Sequence, residues 1–138
     1  MDDFRMQLTA VIDAMREAGS EPSFLVVDLD GIEFIKKAHG DDSVERFREA
    51  ATGAISNAAG ECDTFRYGDE RIVAILGGFG RLRTFALIEK LRRMLPLLGQ
   101  SFDCVLRPEF DVLDLDEQGV AGLVAQLAKL TRDREAAA

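Results

Sequence analysis

The stretch that decides the fold is Ser23-Phe-Leu-Val-Val-Asp-Leu-Asp-Gly-Ile-Glu-Phe-Ile-Lys-Lys-Ala-His-Gly40. Residues 23–29 form an apolar run that leads into acidic residues, which is typical of a strand buried on both faces. Residues 31–38 predict a short helix, and His39-Gly40 ends it. The stretch therefore predicts a buried strand followed directly by a helix, with Asp28 and Asp30 at the end of the strand.

The chain has the size and composition of one globular domain. It is 138 residues long, with 47% hydrophobic and 30% charged residues, and compact domains cluster at roughly 100–150 residues. We expect a single domain over residues 1–138. Within it, the sequence predicts an N-terminal helix over 1–19, a core over 23–134 and a frayed tail over 135–138.

Charge and cysteine content exclude several classes of protein. The formal net charge is −8, whereas a nonspecific nucleic-acid binder needs a basic excess to neutralise phosphates. No apolar run reaches the roughly 20 residues that a membrane span needs, so no membrane insertion is expected. The acidic start Met-Asp-Asp lacks the basic region of a secretory signal, which predicts a cytoplasmic protein. Two cysteines and one histidine provide neither a disulfide framework nor a zinc-site spacing.

The rest of the chain alternates helical and extended patterns in the order α, β, α, α, β-hairpin, α, β, α. Gly68-Asp69-Glu70 separates two strand-like segments, 62–67 and 71–76, and so short a gap predicts an antiparallel hairpin. A further strand is predicted over 101–106, and 111–116 is left open between an edge strand and a loop. This order predicts an α+β, ferredoxin-like or palm-type sandwich, with helices packed around a central, mostly antiparallel sheet.

The helix predicted after residue 80 has two sets of side chains. Its core-facing stripe is expected to comprise Leu82, Phe85, Ala86, Ile88, Leu91 and Leu95. Its solvent side carries a row of cations, namely Arg81, Arg83, Lys90, Arg92 and Arg93. This row is a candidate surface for an acidic partner, and the alternative is an ordinary solvated helix face.

Acidic residues fall at two places that a paired hairpin would bring together. Asp28 and Asp30 end the first strand, and Asp69-Glu70 occupy the hairpin turn. If the hairpin pairs beside that strand, these carboxylates and the Leu29 carbonyl form an oxygen cage suited to Mg²⁺. The alternative is that exposed turns simply attract Asp and Glu.

Two stretches carry a resemblance to a known family. Residues 24–40 resemble the first motif of the GGDEF family, the diguanylate cyclase domain, which reads Asp-x-Asp-x-Phe-Lys-x-Ile-Asn-Asp after a strand and then Gly-His. Residues 65–76, Phe-Arg-Tyr-Gly-Asp-Glu-Arg-Ile-Val-Ala-Ile-Leu, resemble the family's Arg-Tyr-Gly-Gly-Asp/Glu-Glu-Phe hairpin. The resemblance implies a GGDEF-like fold over roughly residues 20–130.

The resemblance implies a metal site but not the family's nucleotide site. Asp28, Leu29 (through its carbonyl) and Glu70 match the metal-binding positions. Lys36 replaces the asparagine that reads guanine, and it has no acceptor to reproduce the amide's contacts. The second guanine-reading residue, an aspartate in the family, falls at Val44 or at Glu45, depending on the placement of a one-residue gap.

The hairpin motif itself is altered over Gly68, Asp69, Glu70, Arg71 and Ile72. Asp69 replaces a glycine whose backbone approaches the nucleotide closely, and it adds negative charge beside the triphosphate. Arg71 stands where the family has an acid, and Ile72 where it has phenylalanine. The inhibitory Arg-x-x-Asp motif falls on Ala59-Gly-Glu-Cys62 and is absent.

We therefore expect a degenerate GGDEF-like domain without cyclase activity, acting as a protein-interaction or regulatory module in bacterial cyclic-dinucleotide signalling. Its expected partner is an unidentified protein or a second copy of the chain. The alternative is a divergent Mg²⁺-dependent nucleotidyl cyclase that uses Asp28 and Glu70 on a nucleotide other than GTP. A third interpretation is a binding module for GTP or a cyclic dinucleotide.

Overall fold

Five helices and four strands form the structure. The computed structural model describes residues 2–137, and the side chains of residues 3–133. The elements are α1 (Asp2–Glu17), β1 (Pro22–Asp30), α2 (Ile32–His39), α3 (Asp41–Ala58), β2 (Asp63–Tyr67), β3 (Arg71–Gly77), α4 (Arg81–Gln100), β4 (Arg107–Asp114) and α5 (Val120–Ala137). Their order along the chain is the one that the sequence predicts.

The strands form one sheet in the spatial order β2-β3-β1-β4. Every neighbouring pair is antiparallel, and β1 lies between β3 and β4. This is the ferredoxin-like arrangement, in which the returning hairpin strand inserts beside the first strand. The predicted fold class is therefore confirmed. The β1–β3 register places Asp28 opposite Arg71, which brings the end of β1 beside the turn of the hairpin.

The sheet is covered on both faces, as the apolar run of β1 predicts. On one face, side chains of β1 and β3 pack against α2, α3 and α4, with Phe47 of α3 fully buried. On the other face, Phe24 and Val26 pack against Leu8 of α1 and Leu123 of α5. Alternate residues of one strand therefore enter two separate cores, because successive side chains of a strand point to opposite faces.

Three element boundaries differ from the sequence-based expectation. The segment 101–106 is a turn and an irregular segment rather than a strand, and the strand is β4, which includes part of the segment 111–116. Cys104 and Leu106 are nevertheless buried, so they fill the core without joining the sheet. α5 extends to Ala137 and includes most of the predicted frayed tail; Ala138 lies outside the described residues.

The core-facing stripe of α4 also differs from the prediction. The buried positions are Thr84, Leu87, Leu91 and Leu95, and Gly99 continues the stripe. Leu82 and Phe85 are exposed instead, at 86% and 64% of their surface. The apolar residues at the start of this helix fit two stripes, and packing against the sheet selects the one that contains Leu87 and Leu91. None of the helices within the described range has the length and apolar character that crossing a bilayer requires.

Candidate functional site

The candidate site lies where the end of β1 meets the β2–β3 turn. The backbone N–H of Leu29 donates a hydrogen bond to the carbonyl of Glu70 at 2.7 Å. This bond fixes the hairpin turn against the strand end, so that the two acidic segments singled out in the sequence share one edge of the sheet. Gly31, at φ 109°, turns the chain from this edge into α2.

Asp28 is buried in an ion pair with Arg71. Its Oδ2 lies 3.3 Å from Nη2 of Arg71, and the two side chains are only 6% and 11% exposed. Nη1 of Arg71 donates to Oγ1 of Thr131 on α5 at 3.3 Å. The guanidinium is thus held between β1, β3 and α5, and it neutralises the carboxylate that the resemblance assigns to a metal.

A second group of carboxylates lies beside this pair. Oxygens of Asp30, Glu33 and Glu70 lie within 4.8 Å of one another. Such an all-oxygen set suits a hard divalent cation, so these residues would hold Mg²⁺ if the site binds it. Within the described residues, Asp30 and Glu70 of the predicted oxygen cage belong to this group of three. Of the metal positions that the resemblance implies, Glu70 alone does. Asp28 is engaged by Arg71, and its role as a ligand stays a prediction.

Glu33 is the site residue that sequence reasoning missed. It comes from the first turn of α2, and one of its carboxylate oxygens is buried without a hydrogen-bond partner among the described residues. The first motif could have pointed to it: when the family pattern Asp-x-Asp-x-Phe-Lys is aligned from Asp28, its lysine falls at Glu33. The structure shows what the change does: it adds a negative charge beside two others.

The crowding of these carboxylates changes the pKa of Glu70. Partial burial, with the neighbouring charges of Glu33, Asp28 and Asp30, raises the pKa of Glu70 above its ordinary value, while Arg71 opposes the rise. A like charge disfavours ionisation of a neighbour. The site therefore has a strong local preference for positive charge, supplied by a proton, a cation or a basic group.

The two residues assigned to nucleotide recognition lie in other ion pairs. Glu45 on α3 pairs with Arg66 of β2 and lies 3.6 Å from Nη1 of Arg48. The hydrogen bond from Arg66 is the main reason that the pKa of Glu45 is lowered. Lys36 lies 3.8 Å from Asp41, and both side chains are largely exposed. The assignment of Glu45 and Lys36 to nucleotide recognition stays a prediction.

Replacing Glu70 by glutamine is expected to raise the free energy of unfolding at pH 7. Because the folded-state pKa of Glu70 is raised, the folded protein retains this proton at pH values where the unfolded chain has lost it. Glu70 therefore contributes stability at pH values below the pKa that it has in the unfolded chain. This contribution is lost as the pH rises through the pKa that it has in the folded protein. Urea unfolding of Glu70→Gln between pH 4 and 8 should show a shallower decline than the parent protein.

Asp69→Asn is the matched control, because it removes a negative charge from the same turn but lies outside the three-carboxylate group. The expectation fails if the two variants change the pH dependence equally.

The fold is shared with solved GGDEF domains. The GGDEF domain of DgcB from Caulobacter crescentus, solved in complex with c-di-GMP, matches with a TM-score of 0.67 and 14% identity, over 96% of this chain and 83% of that one. The FimX GGDEF domain from Pseudomonas aeruginosa matches at 0.66 and 16%, over 96% and 85%. The active GGEEF domain of a diguanylate cyclase from Vibrio cholerae matches at 0.59 and 18%, over 82% and 75%.

These likenesses define the class of fold: the chain has the fold of GGDEF domains. The resemblance of its two motifs to that family is thereby confirmed at the level of fold. No protein family model matches the chain, and no curated protein matches it in sequence.

Proposed function

We propose that this chain is a catalytically inactive GGDEF-like domain that serves as a protein-interaction or regulatory module in bacterial c-di-GMP signalling. The observation that carries the proposal is the buried pair between Asp28 and Arg71. In a cyclase of this fold, the resemblance assigns the carboxylate at position 28 to a metal ion. Here the carboxylate neutralises a cation that belongs to the protein itself.

Displacing the guanidinium of Arg71 from Asp28 would be costly for a metal ion. The guanidinium stays protonated at all accessible pH values, so a rise in pH does not remove the counter-charge of Asp28. A divalent ion that bound Asp28 would place its charge against the buried guanidinium, where the low dielectric strengthens repulsion. Thr131 also anchors the guanidinium from α5, so its movement would break a second contact.

The surroundings of the pair also disfavour a nucleoside triphosphate. Glu33 replaces a lysine of the family motif, and Asp69 replaces a glycine, so two negative charges are added near the expected phosphates. Glu45 and Lys36, at the positions that would read a base, lie in ion pairs with Arg66 and Asp41. These changes affect metal, phosphate and base recognition together, which supports loss of catalysis rather than a changed substrate.

A turnover assay tests the inactivity. The purified protein is mixed with Mg²⁺ or Mn²⁺ and each of the four nucleoside triphosphates, and the products are resolved by mass. We expect no cyclic or linear dinucleotide above the no-protein background. The proposal fails if a dinucleotide forms and disappears in Asp28→Ala or in Glu70→Gln; Glu70→Gln is included because it leaves the buried ion pair intact.

One observation favours the second candidate function, a divergent metal-dependent nucleotidyl cyclase. The oxygens of Asp30, Glu33 and Glu70 lie within 4.8 Å of one another, so the edge retains a donor set for a cation even though Asp28 is engaged. The same assay separates the two functions. Calorimetric titration with GTP and with c-di-GMP tests the binding module, for which micromolar affinity without turnover is the expected signature.

A further inference from the structure

The outer face of α4 carries apolar side chains that point away from the core. Leu82, Phe85 and Leu97 are 86%, 64% and 62% exposed. Leu82, Arg93 and Leu97 recur at intervals close to whole helical turns, so they lie along one ridge opposite the buried stripe of Leu87 and Leu91. The ridge from Leu82 to Leu97, with Phe85 beside it, is called the α4 ridge below.

Cations flank the α4 ridge on both sides. The helix contains five of the 17 Lys and Arg residues of the chain and one of its 25 Asp and Glu residues. At 100° per residue, Arg83 and Lys90 lie along one side of the ridge, and Arg81 and Arg92 along the other. Among these five, Arg92 is the one that forms an ion pair within the described side chains, with Glu89 at 3.4 Å.

We propose that the α4 ridge docks on an anionic lipid surface. Exposed apolar side chains bordered by Lys and Arg are the pattern of a helix that lies in a membrane interface. Here Arg93 adds a cation on the ridge itself. The apolar groups would reach the boundary of the acyl chains, and the long cationic side chains would extend to the headgroup phosphates. This inference does not depend on the proposed function.

The shape of the ridge favours lipid over an acidic protein helix. Leu82 and Leu97 protrude from a single outer helix, with 86% and 62% of their surfaces exposed, rather than lining a groove that would hold a partner helix. A deformable lipid interface accommodates protruding side chains without matching pockets, whereas a protein partner would need a well-packed pocket for each of them. The cations at the margins then select anionic headgroups.

All but one of the acidic residues of the chain lie outside α4, which carries five cations and one acid. α1 and α5 pack on the opposite face of the sheet from α4. α3 packs on the same face as α4 and carries Asp41, Asp42, Glu45 and Glu49, of which Glu45 is paired with Arg66 and Arg48. Salt screens charges that lie more than about 8 Å apart, so the cations on the outer face of α4, which would touch the lipid, contribute most to the local field there.

Vesicle co-sedimentation tests the proposal with the full chain. Vesicles of phosphatidylcholine alone are compared with vesicles that contain roughly 30% phosphatidylglycerol. We expect binding to the anionic vesicles only, and weaker binding as salt rises. The pair Lys90→Glu and Arg93→Glu should weaken it at least ~25-fold, because each cation near the surface contributes about fivefold. Leu82→Ser with Leu97→Ser should also weaken it.

The matched control is Arg5→Glu with Lys129→Glu, an equal charge change on exposed residues of α1 and α5. It should leave vesicle binding within about twofold of the parent protein, because these positions face away from the membrane. The proposal is overturned if the parent protein does not sediment with anionic vesicles, which is the outcome expected for an acidic protein partner. It is also overturned if control and test pairs weaken binding equally.

Discussion

Replacement of Arg71 by alanine is expected to lower the free energy of unfolding by about 3–5 kcal/mol. The substitution removes the cation that lies 3.3 Å from Asp28 and leaves that carboxylate in a site where its side chain is 6% exposed. An ionised carboxylate without its buried partner is penalised by desolvation far more than an exposed one. Urea unfolding at pH 7, followed by circular dichroism, measures the loss.

The matched control is Arg66→Ala on the neighbouring strand of the same hairpin. Arg66 pairs with Glu45, and both side chains are 44–45% exposed, so solvent replaces the lost partner. The free energy of unfolding should therefore change far less than in Arg71→Ala. Equal losses in the two variants would contradict the assignment of Asp28 and Arg71 as a buried pair.

Double substitution separates the ion pair from the packing of the arginine stem. If the charge left on Asp28 causes the loss, Arg71→Ala combined with Asp28→Ala should be more stable than the sum of the single losses predicts, by about 1–3 kcal/mol. Strict additivity would mean that Arg71 stabilises the sheet through its aliphatic contacts alone.

Gly31→Ala should lower the free energy of unfolding by about 2–5 kcal/mol, from backbone strain and overpacking together. Gly31 has φ +109°, and a Cβ at this position would lie 2.8 Å from the backbone carbonyl oxygen of Val105. Because the obstructing atom belongs to the backbone, a rotamer change cannot relieve the contact. The shift would also move Asp30 relative to Glu33, since Gly31 joins β1 to α2.

Gly53→Ala is the control for the second prediction. Gly53 lies inside α3, and a Cβ there would meet no atom within 4 Å. Alanine is favoured over glycine in a helix by about 0.5–1 kcal/mol, so this variant should be more stable than the parent protein. Thermal unfolding of both variants gives opposite shifts if the prediction holds; a shift of the same sign in both would refute it.

If the proposed function is right, Arg71 has replaced a bound metal as the counter-charge of the sheet edge. Stability would then no longer depend on a dissociable ion at Asp28, and the domain could fold and bind partners without nucleotide. Arg71, which is expected to contribute most to stability at this edge, is then also the residue that would prevent catalysis.

The sequence alone was sufficient for the elements whose signals are local. The apolar run before Asp28 predicts a strand buried on both faces, and the short Gly68-Asp69-Glu70 gap predicts the hairpin. Both are confirmed, because alternation and turn chemistry depend on neighbouring residues. The prediction of a strand over 101–106 was wrong. Cys104 and Leu106 are apolar because they are buried in the core, but they do not pair in the sheet.

The sequence determined the order of the elements, the α+β class and the position of the acidic residues at a strand end and at a hairpin turn. Only the tertiary structure decided that Arg71 lies opposite Asp28, that Glu33 joins Asp30 and Glu70, and that Leu82 and Phe85 of α4 face solvent. The physical reason is that strand register and the choice between two helix faces depend on long-range packing, in which residues far apart in sequence compete for the same buried space.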